Sequence, residues 1–296
     1  MAAIIRTEDL TKSYRGKPAL IDLTLEVPPG VVFGYLGPNG AGKTTTIRLL
    51  AGLIRPTRGT AAIAGIDTVR ERAAAQHRIG YLPGEFVAYP DLTAEQYLTY
   101  LGNVRGGVSP KTRTRFCERL ELDPKARIGA MSHGNRQKVG IVQAFMSEPE
   151  LLVLDEPTAG LDPLVQREFH AMIREVKADG RSVFLSSHVL SEVQEVADSV
   201  GILRQGRLVE VRSVAELTAQ PLRRLDLVFD GAPPDLDTLR RIPGVRTVRG
   251  TGRAVHVEIA GPTAELLRTV APYGVDDIVS REPDLEEIFL TYYGRN

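Results

Sequence analysis

Three short runs are apolar at almost every position: Gly30-Val31-Val32-Phe33-Gly34-Tyr35-Leu36, Leu151-Leu152-Val153-Leu154 and Ser182-Val183-Phe184-Leu185. Each precedes a segment of helical spacing. Continuous β-branched runs without alternation predict parallel strands buried on both faces. Around Ile4 to Tyr14, Leu20 to Val27 and Thr60 to Ala64 the apolar positions alternate with polar ones instead, which predicts an antiparallel sheet beside the parallel core. From Thr93 to Ser147 the spacing is mostly helical. Asp91-Leu92-Thr93-Ala94-Glu95 and Ser109-Pro110 are predicted helix starts, because a small oxygen-bearing cap and an early proline suit the unpaired amides of a first turn.

After about Thr218 the pattern changes to a compact order. Strand Leu225 to Asp230, helix Leu236 to Arg241, strands Val245 to Arg249 and Ala254 to Ile259, helix Thr263 to Ala271 and strand Asp276 to Arg281 give a βαββαβ succession. That order predicts a small α+β, ferredoxin-like domain. Pro283 and Asp284 open a last predicted helix, with Glu287 placed as in a capping box. The junction is expected near Gln220-Pro221, giving domains 1–220 and 221–296, and the first domain is not repeated in tandem.

Charge and cysteine usage narrow the classes. Lys plus Arg number 37 and Asp plus Glu also number 37, without a long like-charge block, so DNA and RNA are not expected partners. The one cysteine, Cys117, excludes an internal disulfide and a thiolate-rich metal cage, and fits a reduced, cytosolic setting. No stretch approaches the roughly 18 to 20 apolar residues needed to span a bilayer. A membrane role therefore has to come through a partner.

The strongest chemical signal is Gly37-Pro38-Asn39-Gly40-Ala41-Gly42-Lys43-Thr44, followed by Thr45, between a predicted strand and a helix. Glycines let backbone amides converge on phosphate oxygens and the helix N-terminus adds its positive end. Lys43 would reach the β/γ-phosphates and the Thr44 hydroxyl would ligate Mg²⁺. The buried run Leu151 to Leu154 then ends in Asp155-Glu156. Two acids after a strand often only cap a helix. Beside a phosphate loop they read as a Mg²⁺ holder, Asp155, and a residue polarising the attacking water, Glu156.

Taken together these residues resemble the ATP-binding cassette ATPase family, over about residues 3 to 218. The resemblance implies an α/β P-loop NTPase cassette with a parallel core sheet, an antiparallel β subdomain and a helical subdomain, binding ATP and Mg²⁺. Met131-Ser132-His133-Gly134-Asn135-Arg136-Gln137 looks like the signature loop, which implies that Ser132 and Gly134 contact the γ-phosphate bound to an opposite subunit. His133 stands where glycine is usual and Asn135 where glutamine is common. Ala159-Gly160-Leu161-Asp162 resembles the loop crossing the dimer interface, Ser186-Ser187-His188 resembles the segment with the switch histidine, which implies that His188 senses the γ-phosphate, and Tyr14 falls where the family stacks an aromatic ring on adenine.

One departure stands out. After Ile79-Gly80-Tyr81-Leu82-Pro83 the family has glutamine, whereas this chain has Gly84 and then Glu85, so water or Glu85 is expected to take that role. Tyr89, Pro90 and Leu92 lie where family members receive a coupling helix, or else are ordinary core. Glu282-Pro283-Asp284-Leu285-Glu286-Glu287-Ile288-Phe289 is similar to the bacterial exporter branch that includes daunorubicin-resistance ATPases. The resemblance implies a homodimer, or a heterodimer with a related cassette, driving a membrane-spanning permease subunit from the cytoplasmic face of the membrane. Two alternatives stay open: an importer ATPase, and a non-transport cassette acting as a mechanical module. The second is disfavoured because neither a paired cassette nor long heptad segments occur in the chain.

Overall fold

The structure, a computed structural model, describes residues 2–218 and 222–281. The chain divides into two compact units, Met1–Arg212 and Ser213–Asn296, so the break falls before the Gln220-Pro221 junction expected from the sequence. The helix expected from Pro283 lies outside the described residues.

In the first unit, strands β1 (Ile5–Tyr14), β2 (Lys17–Val27) and β3 (Val32–Leu36) lead into helix α1 (Lys43–Leu50). Strands β4 (Arg58–Ile63) and β5 (Ile66–Asp67), helix α2 (Arg72–His77) and strand β6 (Ile79–Leu82) follow. The helical stretch comprises α3 (Ala94–Val104), α4 (Pro110–Arg119) and α5 (His133–Phe145). The unit closes with β7 (Leu151–Asp155), α6 (Pro163–Ala178), β8 (Ser182–Ser187), α7 (Leu190–Gln194), β9 (Ser199–Arg204) and β10 (Arg207–Ser213).

These strands form two sheets, an antiparallel one ordered β2-β1-β4-β5 and a larger one ordered β10-β9-β3-β8-β7-β6. In the larger sheet β9, β3, β8, β7 and β6 pair in parallel. Every residue of β3, β7 and β8 is buried, which is why their sequences carry no alternation. Between the sheets Phe33 stacks on Phe184 at 5.6 Å, and Tyr35 meets Phe184 at 5.1 Å. Ile47, Leu49 and Leu50 of α1 join the same core as Leu10, Leu20, Leu23 and Ile63 of the antiparallel sheet. The phosphate loop and α1 are thus clamped between two layers.

Among the helices, α3 begins where its sequence predicts. Thr93 accepts from the Gln96 backbone amide at 3.2 Å and the Gln96 side chain accepts from the Thr93 amide at 3.0 Å, a reciprocal capping box. Thr93→Ala should cost about 1 kcal/mol, read as a lower urea midpoint with unchanged ATP affinity. Cys117 is buried on α4.

The second unit contains α8 (Val214–Thr218), β11 (Leu222–Phe229), α9 (Leu236–Arg240), β12 (Val245–Thr251), β13 (Ala254–Ala260), α10 (Ala264–Val270) and β14 (Val275–Arg281). Its antiparallel sheet is ordered β12-β13-β11-β14, the ferredoxin-like arrangement of a βαββαβ chain. Alternate residues Leu225, Leu227 and Phe229 of β11 and Val255, Val257 and Ile259 of β13 face Leu239, Leu266 and Val270 from the helices.

Candidate functional site

The turn between β3 and α1 is shaped by glycine at its last position. Gly42 has φ 108°, and a Cβ there would lie 2.5 Å from the Ala19 carbonyl oxygen, so no other residue fits. No side chain caps α1, and its first turn carries no acid. Its free amides and positive end suit an anion. Lys43, at the first position of α1, is 6% exposed. Its ammonium donates to the Gly37 carbonyl at 2.6 Å and approaches Glu156 Oε1 at 3.2 Å. Gly37, Pro38, Asn39, Gly40, Ala41, Gly42, Thr44 and Thr45 make up the rest of this loop and first helical turn.

Helix α1 packs against β7, whose end supplies the acids. Asp155 is fully buried; its Oδ1 accepts from Ser186 Oγ at 2.6 Å, while Oδ2 has no partner among the described residues. Buried carboxylate oxygens are normally bonded, so this orphan points to a ligand or ordered water. Its charge is felt nearby: the Tyr81 hydroxyl is pushed up, first by burial and then by Asp155. The parallel register sets Ser186 opposite Asp155, and the same Ser186 Oγ accepts from the Glu156 amide at 3.0 Å.

Glu156 adopts φ 48°, a left-handed conformation that costs energy for a residue with a side chain. Gln137 Nε2 helps hold it, donating to the Pro157 carbonyl at 3.1 Å. The result is a carboxylate strung between two basic groups: Oε1 faces Lys43 at 3.2 Å and Oε2 meets His188 Nδ1 at 2.8 Å. His188 itself stands just past β8, with its side chain 55% exposed. Lys43, Asp155, Glu156 and His188 therefore lie together in the structure. Ser186 and Gln137 were not assigned from the sequence; a serine beside an acid-ended strand is the available signal.

The ABC transporter family model matches residues 20–159. The chain is 39% identical over 213 residues to the bacitracin transport ATP-binding protein BcrA of Bacillus licheniformis, an alignment covering 71% of this chain and 70% of that one. The chain belongs to the ATP-binding cassette transporter family. It is 32% identical over 305 residues to the daunorubicin resistance ATP-binding protein DrrA3 of Streptomyces coeruleorubidus, covering 98% of this chain and 96% of that one. A solved ATP-binding subunit of an ABC transporter superposes with a TM-score of 0.67 at 31% identity, over 73% of this chain and 92% of the other. The protein is an ABC-type ATP hydrolase of transporter type that binds ATP.

Other expected cassette residues lie apart from that cluster. Tyr14 ends β1 with an exposed ring, 5.2 Å from the Lys12 ammonium. Ser132 caps α5, accepting from the Asn135 amide at 3.2 Å. Gly134 abuts the loop after Glu156 so closely that a Cβ would lie 2.5 Å from the Gly160 carbonyl oxygen, and a Cβ on Gly160 would lie 2.6 Å from the His133 ring. Asp162 caps α6 through one oxygen, accepting from Leu164 and Val165 at 3.0 and 3.1 Å. Those bonds, the one from Val165 foremost, hold its carboxyl below the usual range.

At the departure from the family, Gly84 lies beside the orphan oxygen: a Cβ would be 3.1 Å from Asp155 Oδ2. Glu85 is exposed and lines a groove of about 420 Å³ with Phe86, Val87, Pro90, Ile128 and Arg136. Next to this groove Tyr89 is exposed and packs edge-on against Tyr97 and Tyr100.

Proposed function

We propose that two cassettes pack head to tail, hydrolyse Mg·ATP between them and drive export through a separate membrane-spanning permease subunit. The observation that carries this reading is the Glu156 carboxylate held between Lys43 and His188 beside the unpartnered Asp155 Oδ2. A buried, unbonded carboxylate oxygen is the donor a Mg²⁺ ion or its water ligand requires, so the residues fit the ion. Thr44 and Asp155 would hold it, and bound there it would neutralise charge on the phosphoryl oxygens. The loop amides and Lys43 orient the β- and γ-phosphates, with Tyr14 stacked on the adenine. Glu156 orients the attacking water and takes its proton, and His188 fixes the carboxylate and senses the γ-phosphate.

Ser132 and Gly134 stand at the start of α5, against the loop that ends in Asp162, so a second cassette docking there would complete the ATP site from outside. ATP that touches both cassettes only when they are closed shifts the open/closed balance by its differential binding. The groove beside Phe86, with the Tyr89 cluster, suits a helix from the permease. Among the described residues no helix is long and apolar enough to cross a membrane, and the cassette would act at the cytoplasmic face. The export direction is supported by the names of the relatives, a bacitracin transport and a daunorubicin resistance protein.

The test is Mg²⁺-dependent ATP hydrolysis by the purified chain with and without a co-expressed polytopic partner. Activity stimulated by the partner is expected, and a chain inactive under both conditions would overturn the reading. Gly84→Gln gives a second check. An amide reaching the Asp155 carboxylate should shift the Mg²⁺ dependence and the partner stimulation by about tenfold, the lower end of the scale for a hydrogen bond to a charged group, with ATP affinity held. If neither changes, position 84 is not part of coupling.

A further inference from the structure

Helix α7 follows the switch histidine and spans only five residues, Leu190–Gln194, too short to hold itself together. It is fixed by tertiary bonds from its acids. Glu192 Oε2 accepts from Thr158 Oγ1 at 2.7 Å and from Ser187 Oγ at 3.3 Å. One residue past the helix, Glu195 Oε2 meets His170 Nδ1 on α6 at 2.7 Å. Thr158 and Ser187 are both buried, so Glu192 reaches inward to two hydroxyls that have left water.

What those hydroxyls belong to gives the contact its meaning. Thr158 lies in the tight turn that begins at Glu156, where the Ala159 amide returns to the Glu156 carbonyl at 3.2 Å and Leu161 to Thr158 at 3.1 Å. Ser187 immediately precedes His188 and also accepts from the Val189 amide at 2.9 Å, closing the bend that carries the histidine. One carboxylate oxygen therefore ties the backbone of the general base to the backbone of the switch histidine. The His188 side chain is largely in solvent, and Glu156 is the partner it meets, so its position depends on that backbone bend.

We infer that Glu192 is a positioning residue for ATP hydrolysis: by bridging Thr158 and Ser187 it sets the His188 imidazole at hydrogen-bond distance from Glu156. This rests on the roles proposed above for Glu156 and His188. Misplacement of a catalytic group by about 1 Å can cost on the order of 100-fold in rate, and a substrate-binding loop untouched by the change leaves KM in place.

The experiment measures kcat and KM for ATP in the full chain carrying Glu192→Ala, Glu192→Gln or Thr158→Val, each in the wild-type and in the His188→Ala background. Glu192→Ala should lower kcat about tenfold to 100-fold and leave KM within about twofold of the parent. Glu192→Gln, whose amide oxygen still accepts from both hydroxyls, should recover most of the rate. Thr158→Val keeps the side chain's shape and should reproduce part of the loss even if Glu192→Ala folds poorly. Because Glu192 acts through His188, its replacement in the His188→Ala background should change kcat by less than about twofold. An equal loss in both backgrounds, or failure of Glu192→Gln to recover activity, would overturn the proposal as mere support of the fold. A His188→Ala protein as fast as the wild type would instead bring down the reading of the site itself, and the proposal with it.

Discussion

Replacing Glu156 by glutamine should leave ATP bound but unhydrolysed, with kcat lowered by about 10²- to 10⁴-fold, the range that a positioned general base contributes. The change is nearly isosteric. The left-handed backbone at 156 is held by Ser186 Oγ and Gln137, neither of which touches the side-chain carboxylate. The turn should therefore keep its shape. What is lost is the negative charge between the Lys43 ammonium and His188 Nδ1, and with it the capacity to take a proton from water. Since the phosphate loop, α1 and Asp155 are untouched, affinity for Mg·ATP should stay within a few-fold. A protein that binds ATP across two cassettes and cannot hydrolyse it accumulates the closed form, so light scattering should give twice the chain's mass under saturating Mg·ATP. The measurement belongs with the membrane partner present as well as absent. A variant that stays monomeric in both cases, or that turns over at the wild-type rate, would remove Glu156 from the mechanism.

That argument uses residues of two kinds, and they differ in how far the sequence reveals them. Asp155, Glu156 and His188 are readable because each lies at or just past the end of a strand whose burial on both faces makes its run apolar, and Lys43 because it opens the helix after the glycine loop that follows such a strand. Ser186 is not readable in the same way. It locks Asp155 and Glu156 only because the β7–β8 register sets it opposite Asp155, and a slip of one residue would present Leu185 or Ser187 instead. The bonds from Glu192 to Thr158 and Ser187 likewise depend on where α7 lies, which no local spacing states.

The elements show the same division. The βαββαβ succession is legible since Leu225, Leu227, Phe229 and their neighbours alternate over a half-covered sheet. Strand β10 leaves no clear signal in the sequence because Arg207–Ser213 is an edge strand rich in charge, with no fully buried position to mark a face. The break at Arg212 rather than at Gln220-Pro221 has a related origin: α8 offers no glycine or proline at its start, so composition changes only after it.

Lys43→Ala should differ from Glu156→Gln in the constant it moves. In the reading proposed above the Lys43 ammonium is the cation of the phosphate loop; it is more than nine-tenths buried and held by the Gly37 carbonyl at 2.6 Å. A charged hydrogen bond is worth about 1.5 to 3 kcal/mol net, so its removal should weaken ATP binding by roughly tenfold to 100-fold at equilibrium. Charge that develops on the transferring phosphoryl group would also lose its nearest protein cation, and loss of one such donor costs about 10²- to 10³-fold in kcat. Kd therefore rises and kcat falls, whereas Glu156→Gln moves kcat alone. The two side chains face each other at 3.2 Å, so their effects should not add. Lys43→Ala leaves Glu156 with His188 as its basic neighbour, and in the double variant that half-buried carboxylate is gone. If the salt bridge is part of the site's working geometry, the double variant should lose less than the product of the two single losses in kcat/KM. Strict multiplication of the two would mean that Lys43 and Glu156 act independently on phosphate and water, and that their contact does not contribute to orienting the base.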